Sequence, residues 1–340
     1  MPQSGPPLDA PIRLSNLLAR GLAANPDDPA LVAAERSWTW RELDQAISRY
    51  ATNLLDLGLQ AGDRVASLMP NRTALLLHYL ACIKAGLVAT PLNYRYMPPE
   101  IDHALEVSEA SILLAHAERD KDVATSKLAG RLPLGVIRYG ANDGRSPSFK
   151  ALLEHEPSAR DLPTPDPADP AFIFFTSGST GLPKGVTHAH ESLGWMFAGI
   201  AAGLELTSED VLLPGSSISH IGGFMFSFAT LSVGGRVVLA RTFDGDELLP
   251  LMRTYRPTVL NMLPSKLLCL VRDHGATRKD FDSLRLCRAG GDKVSAELER
   301  EFNDLTGLMI DEGYGMTEIG LAMLNLKFLF EKANIILSIS

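Results

Sequence analysis

The sequence has few of the features that mark secreted, membrane-spanning or nucleic-acid-binding proteins. Its 340 residues contain three cysteines without a CxxC pair, which favours buried reduced thiols over disulfides or a zinc site. No apolar run reaches the roughly 18 residues that would span a bilayer, and the proline-rich start lacks a signal-peptide pattern. The net charge is -8, without a basic stretch to follow a phosphate backbone. These absences predict a cytoplasmic protein that binds no nucleic acid and contacts membranes at most peripherally.

Apolar residues and turn signals instead predict alternating helices and strands. Hydrophobic residues make up 46% of the chain, enough for a sizeable core. Short apolar strands that alternate with helices indicate βαβ units, and therefore parallel strands with helical crossovers. The predicted strands are 64–69, 88–92, 112–115, 171–176, 236–239, 259–262 and 284–289, and the predicted helices are 41–57, 74–85, 100–106, 192–203, 246–255, 265–274 and 296–306.

Composition divides the chain into three parts. Residues 1–165 and 166–324 are two α/β regions of similar make-up, and the stretch from Arg145 to Pro170, rich in Pro and Asp, predicts a linker between them. From Asn325 the sequence loses its Gly, Pro, Asp and Arg, so we interpret 325–340 as an atypical tail. A foreign tail and a short amphipathic helix both remain open interpretations.

A dense cluster of hydroxyl groups and glycines follows the apolar strand that begins near Phe172. Glycines let backbone N–H groups approach phosphate oxygens, hydroxyls add donors, and a lysine adds a mobile positive charge. The spacing matches neither the P-loop GxxxxGK[ST] nor the GxSxG elbow of serine hydrolases. The cluster predicts a polyphosphate-binding loop formed by Thr176, Ser177, Gly178, Ser179, Thr180, Gly181 and Lys184.

In its context, TSGSTGLPKGV resembles the signature of the adenylate-forming superfamily, most like its acyl-CoA synthetases. Further similar boxes follow in family order, and together they cover roughly Leu14 to Glu318. They are residues 38–43, 84–93, Ser219-His220-Ile221-Gly222-Gly223, Gly290-Gly291-Asp292 and Gly313-Tyr314-Gly315-Met316-Thr317-Glu318.

The resemblance implies a fold, an activity and roles for the matched residues. The implied fold is α/β, with two similar αβαβα lobes and mostly parallel sheets, the large N-terminal domain of the family. The implied reaction joins a carboxylic acid to ATP as acyl-AMP and then to coenzyme A. Lys184, His220, Thr317 and Glu318 would be catalytic, Glu318 and Thr176 would hold Mg²⁺, and ATP would be bound by the phosphate loop together with Gly290, Gly291, Asp292, Gly313, Tyr314, Gly315, Met316 and Thr317.

The acid and the acceptor are less narrowly defined. Apolar residues near His220 imply a hydrophobic acyl group. By the resemblance, amino-acid-activating members of the family would hold the substrate amine with an Asp near 216–220, and this sequence has none there, which favours fatty or aryl acids over amino acids. A carrier protein in place of coenzyme A remains an alternative. His188 and His190 lack a third metal ligand nearby, so a role at the start of a helix is favoured over a metal site.

The resemblance also sets an expectation about completeness. Family members continue for some distance past the YGMTE box, and the expectation is an incomplete β-barrel subdomain, an absent small C-terminal domain and weak or no catalysis. The alternative to an enzyme is then a non-catalytic nucleotide-binding remnant.

Overall fold

The computed structural model describes residues 9–140, 147–176 and 181–324. Besides short 3₁₀ turns, these ranges contain strands and helices that alternate as the sequence predicts. The strands are β1 (Pro29–Ala33), β2 (Arg36–Thr39), β3 (Arg64–Leu68), β4 (Val88–Pro91), β5 (Ile112–His116), β6 (Val136–Tyr139), β7 (Pro170–Phe175), β8 (Gly185–Ala189), β9 (Val211–Gly215), β10 (Arg236–Leu239), β11 (Val259–Met262), β12 (Leu286–Gly290), β13 (Ile310–Met316) and β14 (Gly320–Leu324). The helices are α1 (Ala19–Ala24), α2 (Trp40–Asp56), α3 (Thr73–Lys84), α4 (Pro98–Ser108), α5 (Asp120–Thr125), α6 (Phe149–Glu154), α7 (His190–Gly203), α8 (Ile221–Ser232), α9 (Gly245–Tyr255), α10 (Pro264–Arg272), α11 (Arg278–Phe281) and α12 (Ala296–Thr306).

The strands form two mostly parallel sheets. One has eight strands in the order β14-β13-β12-β11-β9-β10-β1-β2, and the other has six in the order β6-β5-β3-β4-β7-β8. The antiparallel pairs, β1 with β2, β13 with β14 and β7 with β8, all lie at sheet edges. The predicted fold class, α/β with mostly parallel sheets, is confirmed.

Helices cover both faces of each sheet. Successive strand residues point to opposite faces, and both faces carry buried apolar residues that pack against helices. In β1, Leu31 and Ala33 join a central core that also contains residues of the six-stranded sheet and of α2, α3, α7 and α8. Val32, between them, joins an outer core with α9 to α12. A third core packs the six-stranded sheet against α4 and α5. The layers therefore follow the order helix, sheet, helix, sheet, helix.

The early sequence boxes are structural. Thr39 caps α2 by accepting a hydrogen bond from the backbone of Glu42, whose carboxylate accepts one from the Thr39 backbone in return. Lys84, at the end of α3, binds Asp44 at 2.9 Å and Ser48 at 2.6 Å on α2. These contacts fix the helix pair that supports the six-stranded sheet.

The linker expectation needs correction. The predicted linker contains α6, because Ser148 caps it and Phe149 and Leu152 are buried. The sheets also exchange strands across residue 165: β1 and β2 pair into the eight-stranded sheet through β10, and β7 and β8 join the six-stranded sheet through β4. The division at 165 stays a prediction about domains, and the tail at 325–340 lies outside the described residues.

Candidate active site

A cleft of about 1080 Å³ lies between the two sheets. Its lining residues follow strands directly: Thr176 comes after β7, Ser216 after β9, Leu263 after β11, Gly291 after β12 and Thr317 after β13. Ligands of open α/β sheets bind outside the carboxyl ends of the strands, where loops can reach them from both sides. Topology alone therefore makes this cleft the candidate site.

Most of the predicted site residues within the described ranges line this cleft. Gly181, Asp292 and Tyr314 do not, and Ser177, Gly178, Ser179 and Thr180 lie outside the described residues. Those on the cleft wall are Thr176, Lys184, His220, Gly290, Gly291, Gly313, Gly315, Met316, Thr317 and Glu318. Their individual roles remain predictions.

The predicted phosphate loop connects β7 to β8, which pair antiparallel with Phe175 opposite Gly185. The Thr176 backbone donates to the Lys184 carbonyl at 3.0 Å, and the Lys184 backbone donates to the Thr176 hydroxyl at 3.1 Å. The imidazole of His103, on α4, contacts the Pro183 carbonyl at 2.8 Å. The base of the loop is thus held firmly beside the cleft.

Thr317 and Glu318 lie in the turn of the β13–β14 hairpin, in the other sheet. Nε2 of His188, on β8, donates to the Thr317 carbonyl at 2.8 Å. Burial lowers the pKa of His188, while the Thr317 bond and the Glu318 charge act the other way. A neutral imidazole with the proton on Nε2 makes this bond, which ties the phosphate-loop hairpin to the turn that carries Glu318.

His220 precedes α8 and its side chain is exposed to the cleft. The surrounding protein still desolvates the imidazole and lowers its pKa, so His220 is neutral at pH 7. Asn71, between β3 and α3, holds the segment that precedes His220. Its amide oxygen accepts from the Ile218 backbone at 2.9 Å, and its nitrogen donates to the Ser216 carbonyl at 3.3 Å. Asn71 therefore positions His220 from the opposite sheet.

The predicted adenine-binding residues are only partly brought together. Gly290 and Gly291 line the cleft, and Gly291 adopts φ +83°, where a side chain would be strained. Asp292 instead bonds the backbone of Lys293 at 2.7 Å. Tyr314 is 59% exposed and does not line the cleft. Stacking of Tyr314 on adenine therefore stays a prediction.

The donor set fits a nucleotide together with a magnesium ion. Lys184 supplies a cation, Thr176 a hydroxyl and Glu318 a carboxylate on one cleft. In the described part of the chain, no group of three or more His, Cys, Asp or Glu side chains could hold a metal ion by itself. Mg²⁺ commonly binds one or two carboxylates plus substrate phosphates, so Glu318 and Thr176 would suffice beside ATP.

The comparisons with known proteins decide the family. The model of the AMP-binding enzyme family matches residues 18–335. This chain belongs to that family. It is 34% identical over 284 residues to a feruloyl-CoA synthase of Amycolatopsis sp, a match covering 82% of this chain and 54% of the synthase. It is 31% identical over 300 residues to the fatty acid–[acyl-carrier-protein] ligase ScoC of Streptomyces coeruleorubidus, covering 87% of this chain and 56% of ScoC.

Comparison with solved structures agrees with the sequence comparisons. ATP-bound MatB from Rhodopseudomonas palustris superimposes with a TM-score of 0.81 and 30% identity, over 92% of this chain and 61% of MatB. The chain thus spans little more than half the length of the curated relatives it matches. Within the described residues of this family member, no helix is both long and apolar enough to cross a membrane.

Three residues in or beside the cleft have contacts that local sequence patterns did not predict. Asn71 and His188 act by joining segments that only the fold brings together, so no local pattern marks them. Arg288 did leave a signal, since it is one of two arginines, with Arg285, inside the predicted strand 284–289, whose other residues are apolar.

Proposed function

We propose that this chain forms the ATP- and acid-binding part of an enzyme that activates a carboxylic acid as acyl-AMP and then transfers the acyl group to coenzyme A. The observation that carries the proposal is that Lys184, His220 and Glu318, from three separate motifs, line one cleft. Family membership and the ATP-bound state of a structural neighbour support it.

In the first step a carboxylate oxygen of the acid forms a bond to the α-phosphorus of ATP, and the bond to the bridging oxygen breaks to release pyrophosphate. Catalysis of such a displacement is mainly charge neutralisation and alignment. Lys184 and Thr176 would hold the β- and γ-phosphates, and Thr317 would contact the α-phosphate. Glu318 would hold Mg²⁺, which would neutralise phosphate charge.

His220 would orient the acid. Because the surrounding protein desolvates it and lowers its pKa, the imidazole is neutral and would donate one hydrogen bond to the carboxylate without pairing with it as a cation. A carboxylate held by a neutral donor keeps more of its nucleophilicity than one held in an ion pair.

In the second step the thiol of coenzyme A, as thiolate, attacks the acyl carbon and AMP leaves. Ile221, Met225 and Phe226 give the acid side of the cleft an apolar wall, which supports a fatty or aryl acid. A carrier protein is the second candidate acceptor, supported by the 31% identity to the ligase ScoC.

The test is ATP binding and pyrophosphate exchange by the 340-residue chain. Titration calorimetry with a non-hydrolysable ATP analogue and Mg²⁺ is expected to show binding that weakens about tenfold or more in Lys184→Ala, because one charged hydrogen bond to phosphate is lost. Lys150→Ala is the control, since Lys150 lies on α6 and its side chain is 76% exposed.

The outcomes separate the alternatives. Acid-dependent exchange of labelled pyrophosphate into ATP supports an acid-activating enzyme in this chain itself. Analogue binding sensitive to Lys184 but without exchange supports a nucleotide-binding module. No binding, or equal binding by both variants, contradicts the assignment of the cleft.

A further inference from the structure

Arg288 is buried at the cleft in a way that the proposed reaction does not use. Arg288 is only 2% exposed, yet it lines the cleft from the middle of β12. Asn261 on β11 and Asp311 on β13 are its direct partners in the parallel register. Partners in register point to the same sheet face. An amide, a guanidinium and a carboxylate therefore form a row across three strands.

The protein leaves this guanidinium short of acceptors. Nε of Arg288 lies 3.7 Å from an oxygen of Asp311, too far for a hydrogen bond, and Nη1 has no hydrogen-bond partner among the described residues. Its Cζ lies 5.0 Å from the ring centre of Phe226, another cleft residue. Burial lowers the pKa of Arg288, because removal from water destabilises the charged guanidinium. A buried guanidinium normally has its donors satisfied.

The neighbouring strand makes room for the group. A Cβ at position 313 would overlap Nη2 of Arg288, so the absence of a side chain there leaves room for the guanidinium where it now lies, over β13. Gly313 itself lines the cleft. The position of Arg288 at the cleft is thus built into two strands.

We propose that Arg288, with Asn261 beside it, binds an oxygen atom on the acyl part of the acid. The inference rests on the proposed function and narrows its substrate class. The acid is an oxygen-substituted aryl acid or a dicarboxylic acid, and both offer the acceptor that Arg288 lacks. An unsubstituted hydrocarbon chain would leave the guanidinium desolvated and without a hydrogen-bond acceptor, which disfavours binding of such an acid.

The test uses acyl-sulfamoyl-adenosines, stable analogues of acyl-adenylates, with the native 340-residue chain. Benzoyl probes carry methyl, hydroxyl or carboxylate at the 3- or 4-position, so that methyl and hydroxyl compare groups of equal size. At least one oxygen-bearing probe is expected to bind about tenfold or more tightly than its methyl counterpart, as for a hydrogen bond to a charged group. The hydroxyl and carboxylate arms distinguish an oxygenated aryl acid from a dicarboxylic acid.

Arg288→Met should abolish this preference while still binding the methyl probe, and the exposed Arg300→Met on α12 should retain it. If the native chain binds the oxygen-bearing and methyl probes equally tightly, the inference is overturned but the proposed function is not. Equal weakening of every probe by Arg288→Met also overturns it, because that would show a structural role. Absence of binding by any probe overturns the proposed function and the inference together.

Discussion

The two sheets differ in the polar groups that they bury. Among the described residues, buried polar side chains around the six-stranded sheet are neutral, such as Ser67, Thr90 and His78, and burial lowers the pKa of His78 to about 3. The three formally charged residues that are buried, Asp210, Asp280 and Arg288, all belong to the eight-stranded half.

The three buried charges also differ among themselves. The carboxylates of Asp210 and Asp280 accept hydrogen bonds with both oxygens, whereas Arg288 makes none that the structure describes. Only Arg288 lines the cleft. We infer that the buried charges with complete hydrogen bonds stabilise the fold, whereas the one without hydrogen bonds binds a ligand. The next three predictions test this distinction.

Asp210→Ala should have the largest effect on stability. Its carboxylate accepts two bonds from Arg285 at 2.7 Å each and others from Thr258 and Thr207. Burial alone would raise the pKa of Asp210, but these bonds hold it below the usual value. We expect a loss of about 3 kcal/mol in the free energy of unfolding, measured by urea denaturation at pH 7.

Asp304→Ala is the control, because Asp304 is exposed on α12 and its loss should change stability by less than about 0.5 kcal/mol. A loss below about 1 kcal/mol in Asp210→Ala would show that the satisfied charges are not structural, and the comparison would fail.

Asp280→Asn should have a smaller effect that depends on pH. The bond from Arg253 at 2.6 Å lowers the pKa of Asp280 to about 2, against the opposing effect of burial. Because the folded pKa lies below the unfolded value, the stabilisation is present above about pH 4 and is lost as the pH falls toward 2. At pH 7 we expect a loss of about 1 to 2 kcal/mol, since Arg253 itself is largely exposed.

The measurement compares urea unfolding of the native chain and Asp280→Asn between pH 7 and 2.5. The difference between them should shrink below pH 4. If it stays constant over that range, the ionised carboxylate does not contribute as argued.

Local patterns predicted much of the fold. Strands 236–239 and 259–262 and the helix 296–306 have the bounds expected from their apolar spacing. Helix α8, which follows His220, was not predicted, because it is apolar on every side and buried, and so shows no amphipathic period. Strands β1 and β2 were also not predicted. They join a sheet whose other strands come more than 170 residues later, so their partners cannot be seen in the local sequence.

The same limit separates two groups of cleft residues. Lys184 and Glu318 belong to contiguous motifs, so the order of residues along the chain is enough to identify them. Arg288 gains its meaning from Asn261 and Asp311, which are its neighbours only through strand register. The sequence alone shows that Arg288 lies within a predicted strand. It does not show which residues of the neighbouring strands lie beside Arg288.

Arg288→Met should have the smallest effect on stability, less than about 1 kcal/mol in either direction. Methionine fills a similar volume, no hydrogen bond is lost, and the Asp311 carboxylate left behind is 19% exposed and can be hydrated. Arg285→Met, three residues away, is the matched control and should lose about 2 kcal/mol, because it removes two bonds to a buried carboxylate. Urea denaturation of both variants at pH 7 compares them directly. A loss of about 3 kcal/mol in Arg288→Met would place Arg288 with the structural charges, and its missing partners would no longer indicate a ligand.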